Sequence, residues 1–241
     1  MPARLLVVAT PIGNLEDITL RAIRALREAD VIAAEDTRHA SVLLRHLEIR
    51  KPLVSCHQFN EARRLGRLQE CFDAGQAVAL VTDAGMPGIS DPGERLIAHC
   101  VREGVPVEVI PGPSAVLHAL VASGLPACPF TFEGFLPQKS GRRTRAIEAL
   151  RDREATTVFF ESPHRIARTL EALGAILPHR RICIARELTK KFEECLRGTA
   201  GELAAAHAGR AWRGEITLVV GGAGREDEAR QPAQPETSIH G

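Results

Sequence analysis

The sequence has no Cys-x-x-Cys pair, no apolar stretch approaching the roughly 20 residues a membrane span needs, and no N-terminal apolar core followed by a small-residue cleavage site. Its six cysteines, Cys56, Cys71, Cys100, Cys128, Cys183 and Cys195, therefore read as reduced thiols of a cytoplasmic protein rather than as a zinc site or a dithiol redox pair. No metal and no membrane partner are expected. Aromatic residues make up only 4% of the chain, few for a protein that reads single strands base by base. Charge of one sign is also scarce: 31 Lys and Arg stand against 30 Asp and Glu, which argues against indiscriminate coating of nucleic acid. Two nucleotide-binding spacings, G-x-G-x-x-G and G-K-[ST], are missing as well.

What is present is a globular composition of 241 residues, 44% hydrophobic and 25% charged, enough for one large core or two smaller ones. The first half repeats a short apolar run, a turn and a helix of period 3.6. Strands are expected at Leu5–Ala9, Val31–Ala34, Leu53–Ser55, Ala77–Val81 and Val107–Ile110. Helices are expected near Thr19–Glu28, Ser41–Leu47, Ala62–Ala74, Glu94–Glu103 and Ser114–Ala122. Such alternation implies βαβ crossovers and a mostly parallel sheet with ligand loops at its carboxyl edge. After Ser123-Gly124-Leu125-Pro126 the strand-like runs Phe130–Glu133, Thr156–Glu161, Arg181–Ala185, Glu193–Arg197 and Glu215–Val220 have only two or three helices between them. Some neighbours there must be antiparallel. The expected fold class is thus α/β in two domains, 1–118 with a mostly parallel sheet and 119–221 with a mixed one, followed by a disordered tail at 222–241.

Charge divides along the same line. Residues 1–115 carry 13 Lys and Arg against 15 Asp and Glu, residues 116–221 carry 16 against 11, and the tail 2 against 4. The second domain is therefore the basic one, either as a solvated face or as a surface for an anionic partner.

Three loops follow strands of the first domain. Thr10-Pro11-Ile12-Gly13-Asn14 comes first, then TDAGMPGISDPG at Thr82–Gly93, then IPGPSA at Ile110–Ala115. Their glycines and prolines hold tight, irregular paths along which backbone can approach a ligand. Ordinary turn chemistry explains any one of them; three at one sheet edge point to a binding site. None offers a Lys or Arg for a phosphate, and the nearby acids are Glu16, Asp17, Asp83 and Asp91. A cation carrying an adenosine suits these loops, and S-adenosylmethionine is such a ligand. The expected cofactor residues here are Pro11, Gly13, Asp83, Ala84, Gly85, Met86, Ile89, Ser90, Pro111, Ser114 and Ala115.

VATPIGNLEDITLRA, AEDTRH, VTDAGMPGISDPG, VIPGPSA, EGFLP, FESPHR and GEITLVV occur in this order over residues 4–220. Together they resemble the ribosomal branch of the tetrapyrrole-methylase superfamily (class III methyltransferases), which methylates the ribose 2′-hydroxyl of a cytidine in the decoding region of 16S rRNA. The resemblance implies two α/β domains with S-adenosylmethionine in a cleft between them, a homodimer, and the small ribosomal subunit as substrate. It adds Glu215, Ile216 and Thr217 to the cofactor residues. Porphyrinoid methylases of the superfamily carry G-x-G-P-G-D in the first loop, and Asn14 stands where their Asp would be. Their second loop reads G-G-D-P, where this chain has Asp83-Ala84-Gly85-Met86, and Met86 replaces the Thr usual in the ribosomal branch.

Methyl transfer to a hydroxyl needs alignment, exclusion of water and a group to take the proton. The expected catalytic residues are Glu35, Asp36 and Arg38 after the second strand, Glu161 in FESPHR, and Lys190 in RELTKK. Asp36 serves equally as an N-cap paired to Arg38, His57 reads as a loop histidine, and His164 and Arg165 suit either fold support or phosphate contact. Expected RNA contacts are Lys139, Arg142, Arg143, Arg145, His164, Arg165 and Lys191, with Phe135 available to stack on a base. Two alternatives remain at this stage: a methylase for a small molecule or a protein, and a non-catalytic RNA-binding or assembly protein that kept the fold.

Overall fold

The computed structural model describes residues 3–58 and 60–224; of the tail expected to be disordered, residues 225–241 lie outside the described residues. The chain divides into two compact units, one running to His118 and including Leu188–Lys191, the other comprising Ala119–Glu187 and the chain from Phe192 on.

Strands and helices alternate through the first unit: β1 (Arg4–Val8), α1 (Leu20–Glu28), β2 (Val31–Ala34), α2 (Thr37–His46), β3 (Leu53–Ser55), α3 (Glu61–Asp73), β4 (Ala77–Val81), α4 (Glu94–Arg102) and β5 (Val107–Ile110), after which α5 (Ala115–Ser123) begins in this unit and ends in the second. The strands pair in the order β3-β2-β4-β1-β5, all parallel. β1, β2 and β4 are apolar at nearly every position because both of their faces are covered. Leu5 and Val7 pack with Leu68, Phe72 and Leu96 on one side, while Leu6 and Val8 pack with Leu26, Ile32 and Leu44 on the other. Full burial of each such leucine stabilises the unit by about 1.5–3 kcal/mol.

Helix starts are set by local chemistry. Thr19 caps α1 by accepting from the Ala22 amide at 3.0 Å, and Asp36 caps α2 by accepting from the Arg38 amide at 2.8 Å. α4 starts at Gly93, which has no side chain to offer, and Glu61 takes over. This carboxylate, 4% exposed at the start of α3, accepts from the Leu96 amide at 2.9 Å.

Chain order and strand order diverge between β1 and β4. The chain leaves β1 for β2 on one side and returns from β4 to β5 on the other. A crevice outside the carboxyl ends of these two strands is where a sheet of this kind takes its ligand.

The second unit has β6 (Phe130–Phe135), α6 (Ser140–Glu148), β7 (Thr156–Glu161), α7 (Ile166–Ile176), β8 (Arg181–Arg186), β9 (Glu194–Thr199), α8 (Ala200–Ala206) and β10 (Ile216–Val220). Its sheet runs β6-β7-β10-β8-β9, with β6 parallel to β7 and the remaining pairs antiparallel. Ile147, Leu170, Leu173 and Leu203 of the three helices pack on Phe159, Ile184 and Leu218 of the sheet. Thr199 and Glu202 form a capping box at the start of α8. Arg180 is 5% exposed and gives its guanidinium to the carbonyls of Leu150, Arg151 and Gly221, so it ties three chain ends together. β6 extends two residues beyond the expected Glu133 because Gly134, at φ +64°, makes a bulge that lets Phe135 rejoin the ladder.

The borrowed cap can be tested by stability. Glu61→Ala leaves the Leu96 amide without its acceptor and is expected to lower stability by about 1–3 kcal/mol in urea denaturation, with Glu61→Gln losing less. An unchanged midpoint for Glu61→Ala would remove the capping role.

Candidate active site at the carboxyl edge of the first sheet

The loops after β1 and β4 are joined by backbone. Thr10 and Gly85 exchange both amide bonds, at 2.9 and 3.1 Å, and Thr10 Oγ1 donates to the Thr82 carbonyl at 3.2 Å. Gly85 sits at φ +77°, in the left-handed region open to glycine. The loop then turns back at Gly88, whose amide donates to Pro92 O at 3.1 Å, and at Gly93, where a Cβ would lie 2.7 Å from Leu80 Cδ2. Ser90, at φ +63°, holds the same left-handed conformation without glycine's freedom. Ile89 stays 48% exposed at the tip. After β5, Gly112 lets the chain pass Ala9, whose Cβ would be 2.9 Å from an added one. Ser114 Oγ accepts from the Leu117 amide at 3.4 Å, so Ser114 caps α5 and Ala115 is its first residue.

The first loop has a neighbour that sequence reasoning missed. Leu188–Lys191 belongs to the first unit, and Thr189 Oγ1 accepts from the Asn14 amide at 3.1 Å. A Cβ on Gly13 would lie 2.5 Å from Lys190 Cγ and 2.8 Å from both the Leu188 carbonyl oxygen and Thr189 Oγ1. Lys190, expected to act in catalysis, thus has its aliphatic stem packed on Gly13. Thr189 adopts φ +63° within this contact.

Beside these loops, β2 and β4 end in a group of acids. Asp83 N donates to Glu35 Oε2 at 3.4 Å, and Asp36 N donates to Asp83 Oδ1 at 3.3 Å. His39 Nδ1 stands 3.0 Å from Asp83 Oδ2. Asp36 also takes a fork of bonds from Arg38, with Nε at 3.0 Å and Nη2 at 2.5 Å. That guanidinium fork, with the Arg38 amide, holds the Asp36 carboxyl well below the usual carboxylate range, and Arg38 is raised in turn. Asp36 thus caps α2 and holds Arg38, the alternative role its position in the sequence offered. Glu35 is shifted the other way. Partial burial raises its pKa, the charges of Asp83 and Asp36 add to the rise, and the Asp83 amide opposes it.

Several expected residues of the second unit have structural work instead. Glu161 has a fully buried side chain that accepts from its neighbour Ser162 N at 2.8 Å and Thr169 Oγ1 at 2.7 Å and pairs with Arg165 Nε at 2.9 Å. It anchors the start of α7. Arg165 also donates to the Leu136 carbonyl, and Arg143, 9% exposed, donates to Gln138 O at 3.3 Å. Arg143 is thus buried, while Arg165 is partly exposed and engaged by Glu161 and the Leu136 carbonyl. Lys139, Arg142, Arg145, His164 and Lys191 are exposed. Phe135 is 56% exposed, its ring centroid 5.7 Å from that of Phe160, which in turn meets Phe132 edge-on at 4.9 Å. Of the β10 residues, Ile216 lies in the core and offers a ligand no side chain, Thr217 is buried on the opposite sheet face, and Glu215 is exposed with its amide held by Glu187 Oε1 at 3.0 Å. Pro11 and Pro111 flank the crowded turns, and Ala84 and Met86 flank Gly85.

Two α/β units, one with an all-parallel sheet and glycine-rich loops at the β1/β4 switch, make up a fold that comparison with known proteins identifies as that of the methylases. The model of the Tetrapyrrole (Corrin/Porphyrin) Methylases matches residues 4–204. A protein of Halalkalibacterium halodurans named Ribosomal RNA small subunit methyltransferase I is 49% identical over 229 residues, covering 94% of this chain and 78% of its own length. Its namesake in Thermotoga maritima is 46% identical over 219 residues, covering 91% and 98%. Among solved structures, a uroporphyrin-III C-methyltransferase from Thermus thermophilus superposes with a TM-score of 0.64 at 26% identity over 90% of this chain and 94% of that one. A structure of the Thermus enzyme in complex with S-adenosyl homocysteine superposes with a TM-score of 0.62 at 22% identity, over 90% and 97%. The chain therefore belongs to the tetrapyrrole methylase family and, within it, to the family of ribosomal RNA small subunit methyltransferase I.

The glycine contacts separate two kinds of strain. Gly13→Ala is expected to lower stability by about 1–3 kcal/mol through collision and to speed amide exchange at 188–191. Gly85→Ala meets open space, its nearest contact being Ile12 Cγ2 at 3.7 Å, and should lose about 1–2 kcal/mol from its left-handed φ alone, with exchange at 188–191 unchanged. Equal exchange in both variants would contradict the packing of Lys190 on Gly13.

Proposed function

We propose that this protein transfers the methyl group of S-adenosylmethionine to the ribose 2′-hydroxyl of a cytidine in the decoding region of 16S rRNA, on the small ribosomal subunit in the cytoplasm. The observation that carries this reading is the 49% identity, over 94% of the chain, to a protein named for methylating small-subunit ribosomal RNA. The cofactor loops support it chemically. Thr10–Asn14, Thr82–Gly93 and Ile110–Ala115 contain no Lys or Arg, and they present close-packed backbone, an exposed Ile89 and the carboxylates of Asp83 and Asp91. Such a lining fits an adenosine and a cation better than a polyphosphate.

S-adenosylmethionine supplies a methyl group already activated by its sulfonium. The work left to the protein is to align the hydroxyl in line with it and to keep water out. The paired loops of Thr10 and Gly85 are rigid enough to set that line. Lys139, Arg142 and Arg145 at the start of α6 hold RNA phosphates, and Phe135 offers a ring face to an unstacked base. With so few aromatics, recognition rests on the shape of the assembled particle more than on base edges. A homodimer is the proposed form: Leu117 and Val121, four residues apart on α5, are 53% and 76% exposed apolar side chains that a second copy would cover.

The test is a transfer assay with labelled S-adenosylmethionine and small subunits lacking the modification, followed by nuclease digestion and mapping. Label in one 2′-O-methylcytidine of the decoding region is expected; label on protein, on a small molecule, or nowhere would overturn the reading. Replacing Lys139, Arg142 and Arg145 with Ala should raise KM for subunits, with kcat nearly unchanged. The salt dependence of binding should flatten by about one unit of log–log slope for each phosphate no longer neutralised.

A further inference from the structure

The reaction leaves the proton of the 2′-hydroxyl without a destination. We propose that His39, oriented by Asp83, takes that proton through its Nε2 during methyl transfer. The proposal rests on the RNA methylation reading above and adds to it a residue and a role.

His39 is the third residue of α2, just beyond the carboxyl end of β2 and beside the loop that follows β4. Its Nδ1 lies 3.0 Å from Asp83 Oδ2. The negative charge of a carboxylate at that distance favours the tautomer with its proton on Nδ1, which leaves the lone pair on Nε2 for a general base. Asp83 is itself fixed: its Oδ1 accepts from the Asp36 amide and its own amide donates to Glu35 Oε2. The imidazole is therefore aimed by a residue locked between the ends of two parallel strands. The side chain is 66% exposed, and Nε2 has no hydrogen-bond partner among the described residues.

The other candidates at this edge are less suited. Asp36 is engaged by the Arg38 fork and by the helix amide, which hold it ionised and weakly basic. Glu35 is half-buried, with one oxygen turned to the Asp83 amide. Lys190 has its stem wedged against Gly13, and Glu161 is buried in the second unit. The charged groups facing His39 are Glu35 and Asp36 from the end of β2, Arg38 from α2, and Asp83 from the loop after β4.

The step balances without another reactant. The O2′–H bond breaks as the proton moves to Nε2, the O2′–CH3 bond forms, and the CH3–S bond breaks with its electron pair going to sulfur. The products are the 2′-O-methyl ribose, S-adenosylhomocysteine and an imidazolium that releases its proton to water.

The test uses the full chain with small subunits as substrate and S-adenosylhomocysteine binding as a separate readout. His39→Gln and His39→Ala should lower kcat about 10²–10⁴-fold, with KM for subunits and affinity for S-adenosylhomocysteine within about threefold of the parent. The acid limb of the kcat–pH profile should vanish in His39→Gln. Asp83→Asn should also lower kcat, because the amide no longer enforces the tautomer. A His39→Gln protein that keeps the acid limb and a kcat within about threefold of the parent would overturn the proposal. So would a Glu35→Gln protein that loses the limb while His39→Gln retains it. A parent protein that binds S-adenosylhomocysteine yet never labels RNA removes the underlying reading itself.

Discussion

The exchange of backbone bonds between Thr10 and Gly85 is the contact on which the rest of the site depends. It clamps the loops leaving β1 and β4 at the place where the sheet's strand order departs from its chain order. Because the bonds are between main-chain atoms, no side chain need stand between the two loops, and Gly85 meets the resulting geometry with a positive φ. Everything nearby is built against this clamp. Gly93 turns the second loop in over Leu80, Gly112 lets the third loop pass Ala9, and Gly13 receives Leu188–Lys191 on the first. Backbone fixed in this way is what the proposed in-line displacement asks of a protein that must position a reacting carbon.

The acids next to the clamp divide their labour by environment. Asp36 is held ionised by Arg38 and caps a helix; Glu35 is pushed toward its neutral form by burial and by the charges around it; Asp83 joins the two strand ends and turns His39 outward. Three carboxylates within a few residues of one another thus come to have different roles, with geometry deciding which group can move a proton. In the second unit the charges of Glu161, Arg165 and Arg180 are engaged internally, with Thr169, the Leu136 carbonyl and the Leu150 carbonyl among their partners, and hold the fold together. What remains exposed there is a short basic run and a ring at an edge strand.

Much of the architecture could be read from the chain because it is written locally. β2 and β4 are uninterrupted apolar runs, since strands buried on both faces need every position apolar, and β3, β5 and β7 also fall within the bounds expected for them. The start of α2 was placed four residues late, at Ser41, because its first turn is polar and exposed and its beginning depends on the Asp36 cap. The tight turns of the loops after β1, β4 and β5 were legible from their glycines and prolines. The internal bonds of Arg143 and Arg165 were not, because they depend on the Gln138 and Leu136 carbonyls and on how α6 and α7 pack. Nor was the association of Leu188–Lys191 with Gly13, a contact across more than 170 positions that leaves no periodic trace. His39 was passed over as part of a charged motif. The available signal was an acid, Asp83, at the end of a strand that a parallel sheet brings alongside β2.

Whether the crowded loops at the carboxyl edge of the first sheet hold the methyl donor is tested most directly by hydrogen–deuterium exchange on the full chain, with and without S-adenosylhomocysteine. Slowed exchange at residues 10–14, 82–93 and 110–115 is predicted on binding. Saturating ligand that leaves those three segments unchanged while protecting others would contradict that placement.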